Sequence, residues 1–143
     1  MSRIQALLRL ASGLQTDQLA YAELLELLEG QFQAALGHRG EELERVAGQI
    51  SEKCAGLEAR RRERVSLVEA LVPAVRDASS RVVAALRLLP APHAETAVDA
   101  WARLETTVRE CKRLNERNCA LLMDQYELMQ SVLAPEGKTY DPR

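Results

Sequence analysis

Apolar residues recur every three or four positions through most of this 143-residue chain. From about Ile4 to Leu36 the steps land on Ile4, Leu7, Ala11, Leu14, Gln18, Tyr21, Leu25, Leu28, Phe32 and Ala35, and only Gln18 breaks the stripe. Such spacing is the mark of a long amphipathic helix packed in a bundle or coiled coil. At 1.5 Å per residue it makes a rod of roughly 50 Å. Two glycines in Gly37-His38-Arg39-Gly40 give the first break. A second helix is predicted from Glu41, with acidic residues in its first turn. Its stripe reads Leu43, Ala47, Ile50, Cys54, Leu57, Arg61, Val65, Val68 and Leu71. Pro73 removes a backbone donor and crowds the preceding turn, so the helix should kink or restart there. The pattern resumes through Val75, Val82, Leu86 and Leu89 and stops at Pro90-Ala91-Pro92-His93.

The third stretch runs from about Glu95 to Leu133. Its stripe is Trp101, Leu104, Val108, Cys111, Asn115, Asn118, Leu122, Gln125, Met129 and Val132, flanked by Leu114, Leu121 and Leu128. Three amides interrupt an otherwise apolar face, which a private core rarely chooses. Asn115 and Asn118 read either as polar residues that set the register of a bundle or as part of a face left open for a partner helix. Pro135, Glu136 and Gly137 end the helix. The expected fold is therefore all-α: an elongated antiparallel bundle or coiled coil of three main helices, up-down-up, with the second broken near Pro73. It should form a single helical domain over residues 1–134, followed by a short flexible tail, 135–143.

Composition narrows the classes. Aromatic residues are 3% of the chain, with seven glycines and five prolines, which disfavours a sandwich or an α/β enzyme. The longest run without a charged side chain is Gly30–His38, far short of the roughly 20 residues a membrane span needs, so no membrane insertion is expected. No secretory leader is recognisable at the start. A net charge of −2 gives no basic surface for nucleic acid. Three cysteines without a CxxC read as reduced thiols of a cytoplasmic protein. The two histidines fall in predicted loops, and no metal-ligand spacing or phosphate loop occurs. No catalytic residue, metal or cofactor is expected, and the chain reads as a non-enzyme. Cys111 and Cys119 read as buried thiols acting as small hydrophobes. The run Arg60-Arg61-Arg62-Glu63-Arg64 reads as a solvated helix face supported by nearby glutamates. Core packing accounts for Tyr21, Phe32, Trp101 and Tyr126, which sit on predicted helices. Tyr140 sits in the tail, where an aromatic without a core to fill suits an anchor on another protein.

Several of these residues carry a resemblance. Trp101-Ala102-Arg103-Leu104, then Glu110-Cys111-Lys112-Arg113-Leu114-Asn115-Glu116-Arg117-Asn118, then Leu121-Leu122 and the closing Thr139-Tyr140-Asp141 resemble the FlgN family of flagellar export chaperones. That family carries a tryptophan early in its last long helix, an LN..N step, apolar pairs and a TYDA.G-like tail. Two departures stand out: Cys119 replaces a common glycine, and the tail reads Tyr140-Asp141-Pro142-Arg143.

The resemblance implies an all-helical cytoplasmic chaperone that binds the C-terminal segments of the hook–filament junction proteins FlgK and FlgL. It would keep them from associating early and hand them to the export-gate protein FlhA. By the same resemblance Leu114, Asn115, Asn118, Leu121, Leu122, Gln125, Leu128 and Met129 are the expected client-binding residues. Thr139, Tyr140 and Asp141 are the expected gate-docking residues. The same stripes also suit a structural coiled-coil subunit that self-associates permanently, and homo-oligomer formation stays open.

Overall fold

The computed structural model describes residues 1–73 and 77–133. They form four helices: α1 (Arg3–Leu36), α2 (Gly40–Leu71), α3 (Ala78–Leu86) and α4 (His93–Leu133). Three main helices with one internal break were expected. Instead α2 and α3 are separate helices, and α3 is only nine residues long. Val72, which precedes Pro73, is extended at φ −139°, ψ 150°, the conformation a following proline ring favours. Val75 and the tail 135–143, with Thr139, Tyr140 and Asp141, lie outside the described residues.

Side-chain caps start two of the helices, α1 and α3. Ser2 caps α1 in a reciprocal box: its hydroxyl accepts from the Gln5 amide at 3.1 Å, and the Gln5 side chain accepts from the Ser2 amide at 2.9 Å. Asp77 caps α3 by accepting from the Ser80 amide at 2.8 Å. Between α1 and α2 the chain reverses through His38, which holds a left-handed φ of 55°. The amides of His38 and Arg39 donate back to the Ala35 and Ala34 carbonyls, so the turn closes the last carbonyls of α1 although no glycine occupies the left-handed position.

Side-chain pairs set the directions. Lys53 pairs with Glu23 and Arg9 with Glu63, so α2 runs antiparallel to α1. Cys111 lies at the Tyr21 carbonyl, Asn118 at the Leu28 carbonyl and Gln125 at the Ala35 carbonyl, each pair 90 residues apart. A constant offset means that α4 runs parallel to α1. Helix α1 is thus the central rod. Both α2 and α4 pack along it, while their own backbones do not come within 8 Å of each other among the described residues.

The core divides in two. One cluster draws on all four helices: Leu10 and Leu14 of α1, Leu67 and Val68 of α2, Val82 and Leu86 of α3, Trp101 and Leu104 of α4. The indole nitrogen of Trp101 donates to the Ser79 hydroxyl at 3.1 Å, so its one polar atom is satisfied inside the packing. The second cluster lies further along the rod and is thinner: Leu24, Leu28, Leu57, Cys111 and Leu114.

The seam of α2 differs from the predicted one. Cys54, Arg61 and Val65 are exposed, whereas Val46, Leu57, Leu67 and Val68 are buried. Where that seam turns polar, Arg60 and Arg64 point inward. Both grip Asp17 of α1, which is 3% exposed. Arg60 also donates to the Gly13 carbonyl at 2.9 Å, and the Arg64 guanidinium lies 5.2 Å from the Trp101 ring centre. Reading the whole arginine run as a solvated face therefore needs correction. Arg61 and Arg62 are solvated and pair with Glu58. Arg60 and Arg64 form an internal clasp, because their four-residue spacing matches the seam and Asp17 supplies the opposite charge.

Candidate functional site

The candidate site lies on the second half of α4. Over Trp101–Asn118 the apolar stripe of α4 faces α1 and is covered. The stripe continues through Leu121, Leu122, Gln125, Leu128, Met129 and Val132. Gln125 already stands opposite Ala35, and α1 ends at Leu36. The last seven residues of α4 therefore have no stretch of α1 beside them, an overhang of roughly 10 Å at 1.5 Å per residue. Leu128 is 66% exposed, Met129 55%, Val132 69% and Leu133 69%. Met123 and Tyr126 are exposed nearby. Core packing does not account for Tyr126, which corrects the sequence-based expectation. The helix stays regular here because Leu, Met, Gln and Glu are good helix formers even when nothing packs on them.

The three amides do different work. Asn118 is 1% exposed. Its side-chain nitrogen donates to the Leu28 carbonyl at 2.7 Å and to the Gln31 side chain at 2.8 Å. Its oxygen accepts from Arg117, which also lies 3.6 Å from the Phe32 ring centre and reaches Glu29. Gln125 donates to the Ala35 carbonyl at 2.9 Å, a second donor to the oxygen that also accepts from the His38 amide in the turn after α1. Asn115 is exposed, within 4.0 Å of the Cys119 sulfur. Of the eight sequence-predicted residues, Leu114 and Asn118 are thus held against α1. Leu121, Leu122 and Gln125 are half-buried at its end, and Asn115, Leu128 and Met129 are open. The structure brings Leu121 through Met129 together on one side of the helix, but not Asn115.

Tyr126, Val132 and Leu133 belong to the exposed patch and were not among the predicted site residues. The signal available in the sequence was the continuation of the stripe to Val132, past any partner. The thiols also separate. Cys111 is buried, and burial pushes its pKa up to about 11. Cys54 and Cys119 are exposed, so Cys119 is not the buried hydrophobe expected. No group of His, Cys, Asp and Glu among the described residues is arranged to hold a metal ion. No helix among them is long and apolar enough to cross a membrane.

A bundle whose last helix outruns its own core suits a protein that lends apolar surface to another chain. A family model described as FlgN protein matches residues 1–135. The chain belongs to the FlgN family. FlgN proteins are chaperones of flagellar biogenesis, so this chain is a flagellar export chaperone in that general sense. The FlgN match spans all four helices, including the overhang. No curated protein and no solved structure matches the chain.

Proposed function

We propose that this cytoplasmic chaperone uses the free end of α4 to shield the C-terminal segments of hook–filament junction proteins of the FlgK and FlgL kind. The observation that carries the reading is the uncovered stripe of Leu128, Met129 and Val132 beyond the end of α1, continuous with the half-buried Leu121 and Leu122 beside its last turns. An amphipathic client segment laid along it would cover apolar surface worth roughly 25 cal/mol per Å² on both partners. The grip must also let go. A two-turn contact with Met129 and the amide of Gln125 in it gives adaptable, moderate binding rather than a permanent seal. Leu114 and Asn118 hold the register of α4 against α1 and reach a client only if α1 yields. The Thr139-Tyr140-Asp141 tail then serves the second task, docking at the export-gate protein FlhA, on a surface separate from the client.

Co-purification with the C-terminal region of a junction protein tests this reading. The wild-type chain should retain the client. Leu128→Asp with Val132→Asp should abolish retention while circular dichroism stays unchanged. Tyr140→Ala should spare the client complex and lose gate binding. Retention of the client by the double aspartate variant would end the proposal for this surface. An assembly that never dissociates on dilution and binds no client would favour a structural coiled-coil subunit instead.

A further inference from the structure

Along most of its length α1 has two neighbours. Helices α2 and α4 both pack on it, and their own backbones stay more than 8 Å apart among the described residues. Helices so placed occupy three corners of a four-helix bundle, with α2 and α4 at the ends of a diagonal. At the packed end the fourth corner is filled. Helix α3 packs on α2 and on α4 there, and the cluster of Val68, Val82, Trp101 and Leu104 joins all three. With nine residues, α3 covers only roughly 13 Å of the rod.

The sides that α3 joins continue beyond it with nothing between them among the described residues. Cys119, Leu122, Tyr126 and Met129 follow Trp101, Leu104, Val108 and Cys111 by 18 residues each, five full turns, so both sets share one side of α4. Trp101, Leu104 and Cys111 are buried, whereas Cys119, Tyr126 and Met129 are exposed and Leu122 is half-buried. On α2, Ile50 precedes Val68 by the same five turns. It belongs to the row Leu43, Ala47, Ile50 and Cys54, part of the stripe that the sequence marks as packed, yet Ala47 and Cys54 stand open. The pairs Lys53–Glu23 and Asn118–Leu28 put Ala47 and Cys119 at one level, near residue 29 of α1. Burial, and then the nearby Cys54, raise the pKa of Cys111, which agrees with α2 and α4 facing one another across this gap. Both rows step by three and four residues, the spacing that receives a helix as partner.

We propose that an amphipathic helix of the client takes this fourth corner, in line with α3, between Cys119, Leu122, Tyr126 and Met129 of α4 and Leu43, Ala47, Ile50 and Cys54 of α2. This rests on the client-shielding function proposed above and adds α2 as a second wall of the client site. The α4 row runs without interruption into the overhang, so one occupant covers both, and the overhang is where it enters. Ala47 and Cys119 are small, which leaves room for the client's larger side chains between the walls.

The two open thiols report on the corner directly. Cys54 lies roughly 24 Å along the rod from Leu128 at 1.5 Å per residue, so a client confined to the overhang leaves it free. The full chain is labelled with a maleimide, with and without the C-terminal region of a junction protein. The client should slow labelling of both Cys54 and Cys119 roughly tenfold or more. Ala47→Arg should weaken client binding by a similar factor with unchanged circular dichroism. Ala55→Arg, two residues before the buried Leu57 and so on the opposite side of α2, should bind like the wild type. Protection of Cys119 alone, with Ala47→Arg binding normally, would overturn the fourth-corner site and leave the overhang as the client surface. Failure of the wild-type chain to retain any client would overturn both. Protection of both thiols that grows with the concentration of the chain itself, without client, would give the corner to a second copy and overturn the assignment.

Discussion

The two ends of α4 are built from similar residues and differ in what surrounds them. At Trp101 and Leu104 the helix is packed by α1, α2 and α3 together, and both side chains are buried. At Leu128 and Val132 the same stripe meets no other helix among the described residues, and both are two-thirds exposed. A periodic apolar pattern therefore says that a helix has a sticky side, and only the length of its neighbour says whether that side is used at home. Between the two ends lies a graded region. At Asn118 hydrogen bonds replace apolar contact, and at Gln125 a single amide ties α4 to the last turn of α1.

The largest effect should come from the packed end. Trp101→Ala should cost about 3–5 kcal/mol in urea unfolding, while Val132→Ala should stay within about 0.5 kcal/mol. Equal costs would erase the contrast between the ends. Next comes the clasp: Asp17→Ala leaves Arg60 and Arg64 without their carboxylate and should cost about 3 kcal/mol, against almost nothing for Glu58→Ala at its exposed pair. Asn118→Ala should cost about 2 kcal/mol through lost buried hydrogen bonds. It should also loosen amide-exchange protection in α4 more than in α2.

The mildest test is chemical. At neutral pH a thiol reagent should label Cys54 and Cys119 quickly and Cys111 only after unfolding. The pH dependence has a definite sign. Burial raises the Cys111 pKa from 9.0 to about 11, so the folded state favours the neutral thiol. That contribution is complete below the unfolded value and is lost as pH rises through the folded one. Burial raises the pKa of Tyr21 in the same direction. Alkaline titration should therefore weaken the thin middle of the rod, where both residues lie.

Much of this could be read in the sequence, for reasons that show where reading stops. The stripes of α1 and α4 are nearly unbroken, so their period shows through. That of α2 is not, because Arg60 and Arg64 occupy seam positions and their partner Asp17 sits more than forty residues upstream. Charge inside a run of arginines looks solvated until the facing helix is known. The continuation of the α4 stripe to Val132 was visible, as was its mixture of amides. What periodicity could not supply is the 90-residue register between α1 and α4. That register decides which part of the stripe is covered, so it separates Leu114 and Asn118 from Leu128 and Met129. The separate α3 was hidden for a simpler reason. A nine-residue helix offers only about two and a half turns of pattern.

The central place of α1 also governs the order of assembly. Its pairing with α2 is a local hairpin, closed through His38, and can form while the rest of the chain is still being synthesised. Its pairing with α4 must wait for residues 90 positions downstream. The hairpin is thus a half-built mould whose open flank is filled later by α4, and the end of α4 arrives when every place along the mould is already taken.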